Sequence, residues 1–339
     1  MHKRLVPMLL VAVLLALAGC SSTTQGRPVP VPAPDYPGYL PDKARQTLAY
    51  LDTLRPLDIC GYLDRAAVET LGPVSYIGAD GEYESCTARY PKNTARHGIS
   101  KVEVSIGTTP SPGWGTKIDV AGTTVAYNNA GGEFCTASTH FDERQLISWV
   151  VFSAVLSKPV DLCAEAVDVA TASIPLLKTR PLRIGSTAGN VDTKLARLDS
   201  CAAIPAFVAP DQAHKAAVLT YVPWGCGWMA DYYKSGSRIA IGYLHAEDTL
   251  IAPNSSGEIT TEIGGFPARV IPSSMRRYPG HCQLWIGVDA VRPDTEKRRR
   301  EYDSTARMIE LIRISLEQGG CELATQIGTE LVRLYKLLP

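Results

Sequence analysis

The chain has 339 residues, 34 basic and 34 acidic side chains, 45% hydrophobic residues and 20% charged residues. That length exceeds one ordinary core, so two domains are expected. The balanced charge speaks against a nucleic-acid binder, which would carry a clearly basic face.

The chain begins with a short basic start, His2-Lys3-Arg4, and an apolar run from Leu5 to Ala18 that ends in Leu17-Ala18-Gly19-Cys20. This is the layout of a secretory signal peptide over residues 1–19, with small residues before the cut. Leu-Ala-Gly-Cys resembles a bacterial lipobox, in which the cysteine thiol takes a diacylglycerol before cleavage. The resemblance implies that Cys20 becomes the lipidated N-terminus of a lipoprotein. The protein would then sit on the outer face of the cytoplasmic membrane, in the cell envelope, with the membrane as its first partner. Cleavage removes Lys3 and Arg4 and leaves 32 basic and 34 acidic side chains, so the formal charge is near −2.

That compartment decides the reading of the cysteines. Beyond Cys20 there are eight: Cys60, Cys86, Cys135, Cys163, Cys201, Cys226, Cys282 and Cys321. An even number in an oxidising compartment reads as disulfides. No close C-x-x-C pair is present, so a zinc site is not expected.

Residues 20–42 read as a tether. Ser21 to Gly26 are small and polar, and prolines follow at 28, 30, 32, 34, 37 and 41. Alternating proline favours extended polyproline II, which at about 3.1 Å per residue could hold the body some 65 Å from the membrane. No packed structure is expected in this stretch.

The chain then repeats itself. Leu57-Asp58-Ile59-Cys60 is echoed by Leu198-Asp199-Ser200-Cys201. Each is followed by a second cysteine, in Ser85-Cys86-Thr87-Ala88 and in Gly225-Cys226-Gly227-Trp228. Alternating β-like stretches come next, Lys101–Ile106 and Arg238–Tyr243, then strands led by Gly122 and Gly265. Strands carrying Cys135 and Cys282 follow, then apolar runs Leu146–Phe152 and Met308–Leu316, then helices opening on Cys163 and Cys321. Alone, Thr305–Gln318 could pass for an amphipathic helix. Its counterpart Leu146–Phe152 is β-branched and aromatic, so both runs are read as strands. Asp58 and Asp199 stand where a helix N-cap is wanted.

Consecutive strands without intervening helices make an antiparallel sheet, so the fold class is α+β. The expected plan is two tandem similar units, 43–180 and 191–339, joined by a linker over 181–190. Each unit is expected to be an antiparallel sheet of about five strands flanked by an N-terminal and a C-terminal helix. Four cysteines allow three pairings. The layout favours first with second and third with fourth, because each bond would then pin a flanking helix to the sheet. Loss of one bond should destabilise its own unit and spare the other.

The order Asp-x-Cys, Cys near a Trp, a Gly-led strand, Cys, then Asp-x-Cys opening a helix resembles the actinobacterial lipoproteins of the domain-of-unknown-function 3558 type. Asp58, Cys60, Cys86, Gly122, Cys135, Asp161 and Cys163 match in the first unit. Asp199, Cys201, Cys226, Trp228, Gly265, Cys282 and Cys321 match in the second. Ala88 stands where the first Trp is expected, and Gly319 where the last Asp is. The resemblance implies an envelope lipoprotein and supplies no catalytic residue.

Chemistry is sparse. There is no G-x-S-x-G, no H-E-x-x-H and no Gly-rich phosphate loop. His245-Ala246-Glu247-Asp248 is the richest acid–base cluster, and a polar strand end accounts for it. Three surface candidates remain. Trp114 tips the loop Pro110–Gly115, where a ring offers contact area to a ligand or folds back over the sheet. Trp224 and Trp228 lie in an aromatic stretch around Cys226, for which core packing is the plainer role. Lys297–Arg300, with Arg276-Arg277, could meet anionic lipid or wall polymer, although Asp294, Glu296, Glu301 and Asp303 flank it.

The functional expectation is therefore a lipid-anchored envelope protein without enzymatic activity or cofactor. It would bind a lipid, a wall glycan or another envelope protein, with the groove between the units as the default site. The alternatives are a hydrolase acting on wall or lipid, and a structural subunit of an envelope complex.

Overall fold

A computed structural model of the chain describes residues 36, 38–108, 114–129, 133–154, 161–189, 191–208, 217–219, 222–229, 238–252, 258–272, 280–290 and 308–339. Cys20, the prolines before residue 36, His214, Arg276-Arg277 and the basic run 297–300 lie outside the described residues.

In chain order the elements are α1 (Asp42–Asp52), α2 (Arg65–Leu71), β1 (Tyr76–Gly78), β2 (Gly81–Glu82), β3 (Ser85–Arg89), β4 (Ile99–Thr108), β5 (Thr116–Val120), β6 (Thr123–Asn129), β7 (Phe134–His140), β8 (Gln145–Ser153) and α3 (Cys163–Ser173). They continue with β9 (Ala217–Val218), β10 (Gly225–Met229), β11 (Arg238–Glu247), β12 (Ile259–Ile263), β13 (Phe266–Pro272), β14 (Cys282–Ala290), β15 (Met308–Leu316) and α4 (Gly320–Leu337).

The strands form two antiparallel sheets. The first has seven strands in the order β1-β3-β4-β8-β7-β6-β5, and the second has eight, β12-β13-β14-β15-β11-β10-β9 with β2 also paired to β11. The fold is thus mixed helix and sheet, as expected, but the expected five strands per sheet are too few. The count fell short because β1, β2 and β9 are two or three residues long, below the length at which alternation can be read, and because the edge strands β5 and β12, five residues each, bury too little to show it. Read in chain order, the two main paths are the same strand for strand. Met308–Leu316 is a strand, paired with both β11 and β14.

Local chemistry explains the matching hairpins. Between β5 and β6 the turn residues Ala121 and Gly122 have φ of 50° and 81°; between β12 and β13, Gly264 and Gly265 have 57° and 81°. Two consecutive positive φ values make the two-residue turn whose twist suits a hairpin, and glycine adopts them without strain.

The helices depart from expectation. Cys60 lies on a short 3-10 turn, Ile59–Tyr62, and the helix that follows is capped by Asp64, whose side chain accepts from Ala67 N–H. In the second half the expected N-terminal helix is replaced, among the described residues, by two 3-10 turns, Leu195–Arg197 and Ile204–Ala206. Pro205 stands inside the second turn and denies it a further helical donor. The closing helices are present. α3 packs on β6, β7 and β8, and α4 on β14 and β15. In α4 the buried residues Ala324, Ile327, Gly328, Leu331, Val332 and Tyr335 recur at helical spacing, which gives one apolar stripe for the sheet.

Residues 33–339 form one compact unit. The buried sides of both sheets belong to one continuous core that includes Trp149, Tyr62 and Val104 together with Trp224, Trp228 and Ile312. Helix α1 packs against β9 of the second sheet. The segment 181–190 is no loose connector either. Pro181 O accepts from Asp58 N–H, Gly189 O accepts from Ala79 N–H, and Arg183 is buried. The tether reading also ends earlier than expected, because Tyr36 and Leu40 are in the core.

Candidate functional site

The site is built from a local rule that recurs three times. In Asp58-Ile59-Cys60, Asp161-Leu162-Cys163 and Asp199-Ser200-Cys201 the aspartate carboxylate accepts the cysteine backbone N–H, at 2.8, 3.0 and 2.9 Å. An Asp side chain reaches its own backbone two residues on, which fixes a tight turn and aims the cysteine. Cys321 has Gly319-Gly320 ahead of it and opens α4 without such a bond. The four disulfides are Cys60–Cys86, Cys135–Cys163, Cys201–Cys226 and Cys282–Cys321, with Cα–Cα distances of 5.1 to 5.2 Å. The first ties the Asp58 turn to β3, the second ties α3 to β7, the third ties the Asp199 turn to β10, and the fourth ties α4 to β14.

These turns place charges where the two sheets meet. Arg55, just past α1, pairs with Asp52 of α1 and, at 2.5 Å, with Asp199 of the other half; its Nε donates to Pro223 O at 2.7 Å. Arg55 and Asp199 are both buried. Asp58, by contrast, faces the 181–190 segment and accepts from the Ser186 hydroxyl. Burial pushes the Asp58 carboxyl above the usual carboxylate range, against the pull of Ser186 and Arg183.

Arg183 is the centre of a second group. Its Nη1 donates to Val191 O at 2.8 Å and its Nη2 to Tyr83 O at 3.2 Å, while the guanidinium lies 4.3 Å from the Trp224 ring. Burial lowers its pKa to about 10, although Tyr83, Asp58 and Glu310 favour the charge. Tyr83 follows β2, the two-residue strand that leaves the first sheet to pair with β11 at Leu244 and His245. The Tyr83 hydroxyl donates to Glu310 Oε1 at 2.6 Å, and its ring stacks on His245 with centroids 4.6 Å apart. Glu310 Oε2 also accepts from Leu195 N–H at 3.4 Å. Burial raises the Glu310 carboxyl and drives the His245 imidazole down to about 3, with Arg183 adding to the latter shift. The Nε2 atom of His245 has no hydrogen-bond partner among the described residues. Glu82 pairs with Arg313 at 2.8 Å at the margin of this group.

A carboxyl, a phenol and an imidazole together are the parts of an acid–base set. Here the phenolic proton is committed to Glu310, the imidazole is closed in against Tyr83, and all three are buried. The chemistry this arrangement performs is adhesion between the two halves. At these positions the expected groove is filled by the chain's own side chains.

Trp224 and Trp228 have no exposed surface, so they take the plainer of their two roles, core packing, and are not available as ligand contacts. Trp224 donates to Ala196 O and lies under Arg183, while Trp228 packs edge-on to Phe207. Trp114 is half-buried, just before β5. His97 pairs with Glu165, and His140 is exposed. Among the described residues no group of three His, Cys, Asp or Glu side chains is placed to hold a metal ion. The sequence reading missed Arg55, Tyr83, Arg183 and Glu310. Glu310 alone left a signal: it shares the inward parity of Met308, Ile312, Ile314 and Leu316, where a lone carboxylate is out of place.

Residues 15–176 match the family described as protein of unknown function (DUF3558). The match supports a domain of that type in the first half of the chain. No curated protein and no solved structure matches it.

Proposed function

We propose that the chain is a lipoprotein anchored through Cys20 to the outer face of the cytoplasmic membrane, and that it acts by binding rather than by catalysis. Its ligand is an envelope lipid, a wall glycan or an envelope protein. The observation that carries this reading is the state of the ionisable groups at the junction. Arg55 is spent on Asp199, Tyr83 on Glu310 and Arg183 on backbone carbonyls, so these groups hold a scaffold instead of standing ready to move protons. Four disulfides in that scaffold suit an exported protein.

The same observations support two tandem copies of one unit, 43–180 and 191–339. The strand paths correspond, the hairpins turn at equivalent positive-φ pairs, and the Asp-x-Cys turn precedes an equivalent disulfide in each half. The copies have fused through a common core.

The binding surface we assign is the face of the first sheet opposite α3. Phe134 and Phe152 lie side by side there, half-buried, with Lys101 Nζ 4.1 Å from the Phe152 ring. Ser105 and Ser148 pair across the same face and are half-buried, whereas Ser85 and Ser138 are buried. Flat rings beside hydroxyl groups offer both contact area and hydrogen bonds. The experiment is capture of bound lipids and proteins from native membranes, with mass identification, using the full chain and its Phe152→Glu variant. A ligand held by the full chain and lost by the variant supports the reading. One held equally by both places the site elsewhere, and recovery of nothing above a Cys20→Ser blank counts against binding.

A further inference from the structure

The end of the Pro-rich segment is built into the junction. Tyr36 and Leu40 are 9% and 2% exposed, and Tyr39 packs against the same core. The Tyr36 hydroxyl lies 2.9 Å from Asp199 Oδ2 and 3.1 Å from Asp52 Oδ1, and it accepts from Arg55 Nη1 at 3.4 Å. Asp52 and Arg55 belong to the end of α1, whereas Asp199 belongs to the turn that carries Cys201. One phenol from the tether therefore sits on the ion pair that joins the two halves. A passive leader would leave its aromatic side chain at the surface, and would not place its hydroxyl between two carboxylates and a guanidinium. Burial and the Asp199 charge push the phenol pKa well up, so it remains a donor across the physiological range.

We propose that Tyr36 and Leu40 form a strap that locks the junction between α1 and the Asp199 turn when docked, and frees it when withdrawn. Tyr36 is the first described residue of the chain, and its hydroxyl meets the carboxylates and guanidinium of the Arg55–Asp199 junction directly. This inference stands apart from any ligand. It concerns how the tether and the junction are coupled, whatever the protein binds.

Hydrogen exchange of the full chain, read by mass spectrometry, tests it. The Cys201 amide is bonded to Asp199 Oδ1 and reports on the turn. Tyr36→Phe removes one hydroxyl and keeps the ring. It should speed exchange at Cys201 by about tenfold, the effect expected of a lost hydrogen bond to a charged group. Leu40→Ala should act in the same direction. The β5–β6 hairpin, at the far edge of the first sheet, should keep its protection in both. Pro32→Ala, ahead of the strap, should change neither. An unchanged Cys201 amide in Tyr36→Phe overturns the proposal. So does a uniform acceleration of all amides in that variant, which would mean general destabilisation without a strap.

Discussion

The Glu310 carboxyl accepts the Tyr83 phenolic proton at 2.6 Å across 227 residues of sequence. Both side chains are buried, so neither can turn to water if the other is removed. Tyr83→Phe should therefore lower stability by about 1–3 kcal/mol, read by chemical denaturation with the disulfides intact. Burial of the carboxyl has a pH signature, which the Tyr83 bond opposes because a donated hydrogen favours the carboxylate. The Glu310 pKa is raised in the folded state, so the fold holds the carboxyl proton more tightly than the unfolded chain does. The contribution of the protonated carboxyl is fully present below the ordinary carboxylate pKa and is lost as pH rises through the raised value. Glu310→Gln should remove that loss, so the difference in stability between the two proteins should shrink on acidification. A difference constant with pH would show Glu310 titrating as it does in the unfolded chain.

His245 acts in the opposite sense. Its folded pKa is held at about 3, against 6.5 for the free side chain. The unfolded chain takes a proton in that window and the folded protein does not. Stability should thus fall as pH drops from about 6.5 towards 3, at up to roughly 1.4 kcal/mol per pH unit from this group. His245→Phe keeps a ring against Tyr83 and cannot be protonated. Acid titration of the two proteins should show the wild type losing stability faster through this window.

Arg183 touches both halves, through Tyr83 O on one side and the Trp224 ring on the other. Arg183→Met keeps the apolar stem and strands the Val191 and Tyr83 carbonyls. A loss of about 2–4 kcal/mol follows from two buried acceptors left without donors. Arg183→Lys should recover part of it, because an ammonium supplies charge without the planar fork.

How far the sequence reached is clearest at the junction. The disulfide framework and the two strand paths follow from spacing and alternation, which are local signals. The Asp-x-Cys turns are equally local, and they appear three times in the fold. The contacts of Arg55 with Asp199 and of Tyr83 with Glu310 are not local, and no periodicity marks them. Tyr36 was hidden for another reason. Proline at 32, 34 and 37 reads as extended chain, and composition cannot tell an extended segment in solvent from one pressed into a core. Trp224 and Trp228 were ambiguous because a ring suits a core and a binding surface alike.

Ala121 sits at φ 50° in the β5–β6 turn, where the second sheet has Gly264. A side chain there costs roughly 1 kcal/mol that glycine does not. Ala121 is exposed, so Ala121→Gly removes no packing. The substitution should stabilise the protein by about 0.5–1 kcal/mol in denaturant titration, offset in part by the greater freedom glycine gives the unfolded chain. A loss would mean that the methyl group makes a contact the turn needs.

The shared core makes a prediction that separate units would not. Cys282 and Cys321 close a loop of 39 residues in the second half, worth about 4 kcal/mol in the chain-entropy model. If the halves were independent domains, Cys282→Ala with Cys321→Ala would weaken the second and leave the first untouched. But β2 belongs by sequence to the first half and pairs with β11 of the second. Tyr83 is bonded to Glu310, Arg55 to Asp199, and the inner sides of both sheets pack into one cluster. Melting the second sheet would expose the buried partners of the first and strand Tyr83 and Arg55. The two halves should therefore unfold together, in one transition displaced to lower denaturant. Hydrogen exchange should show protection lost in β4 of the first sheet as well as in β14 and β15. Retention of full protection in β4 while the second sheet opens would mean that the junction adheres without coupling.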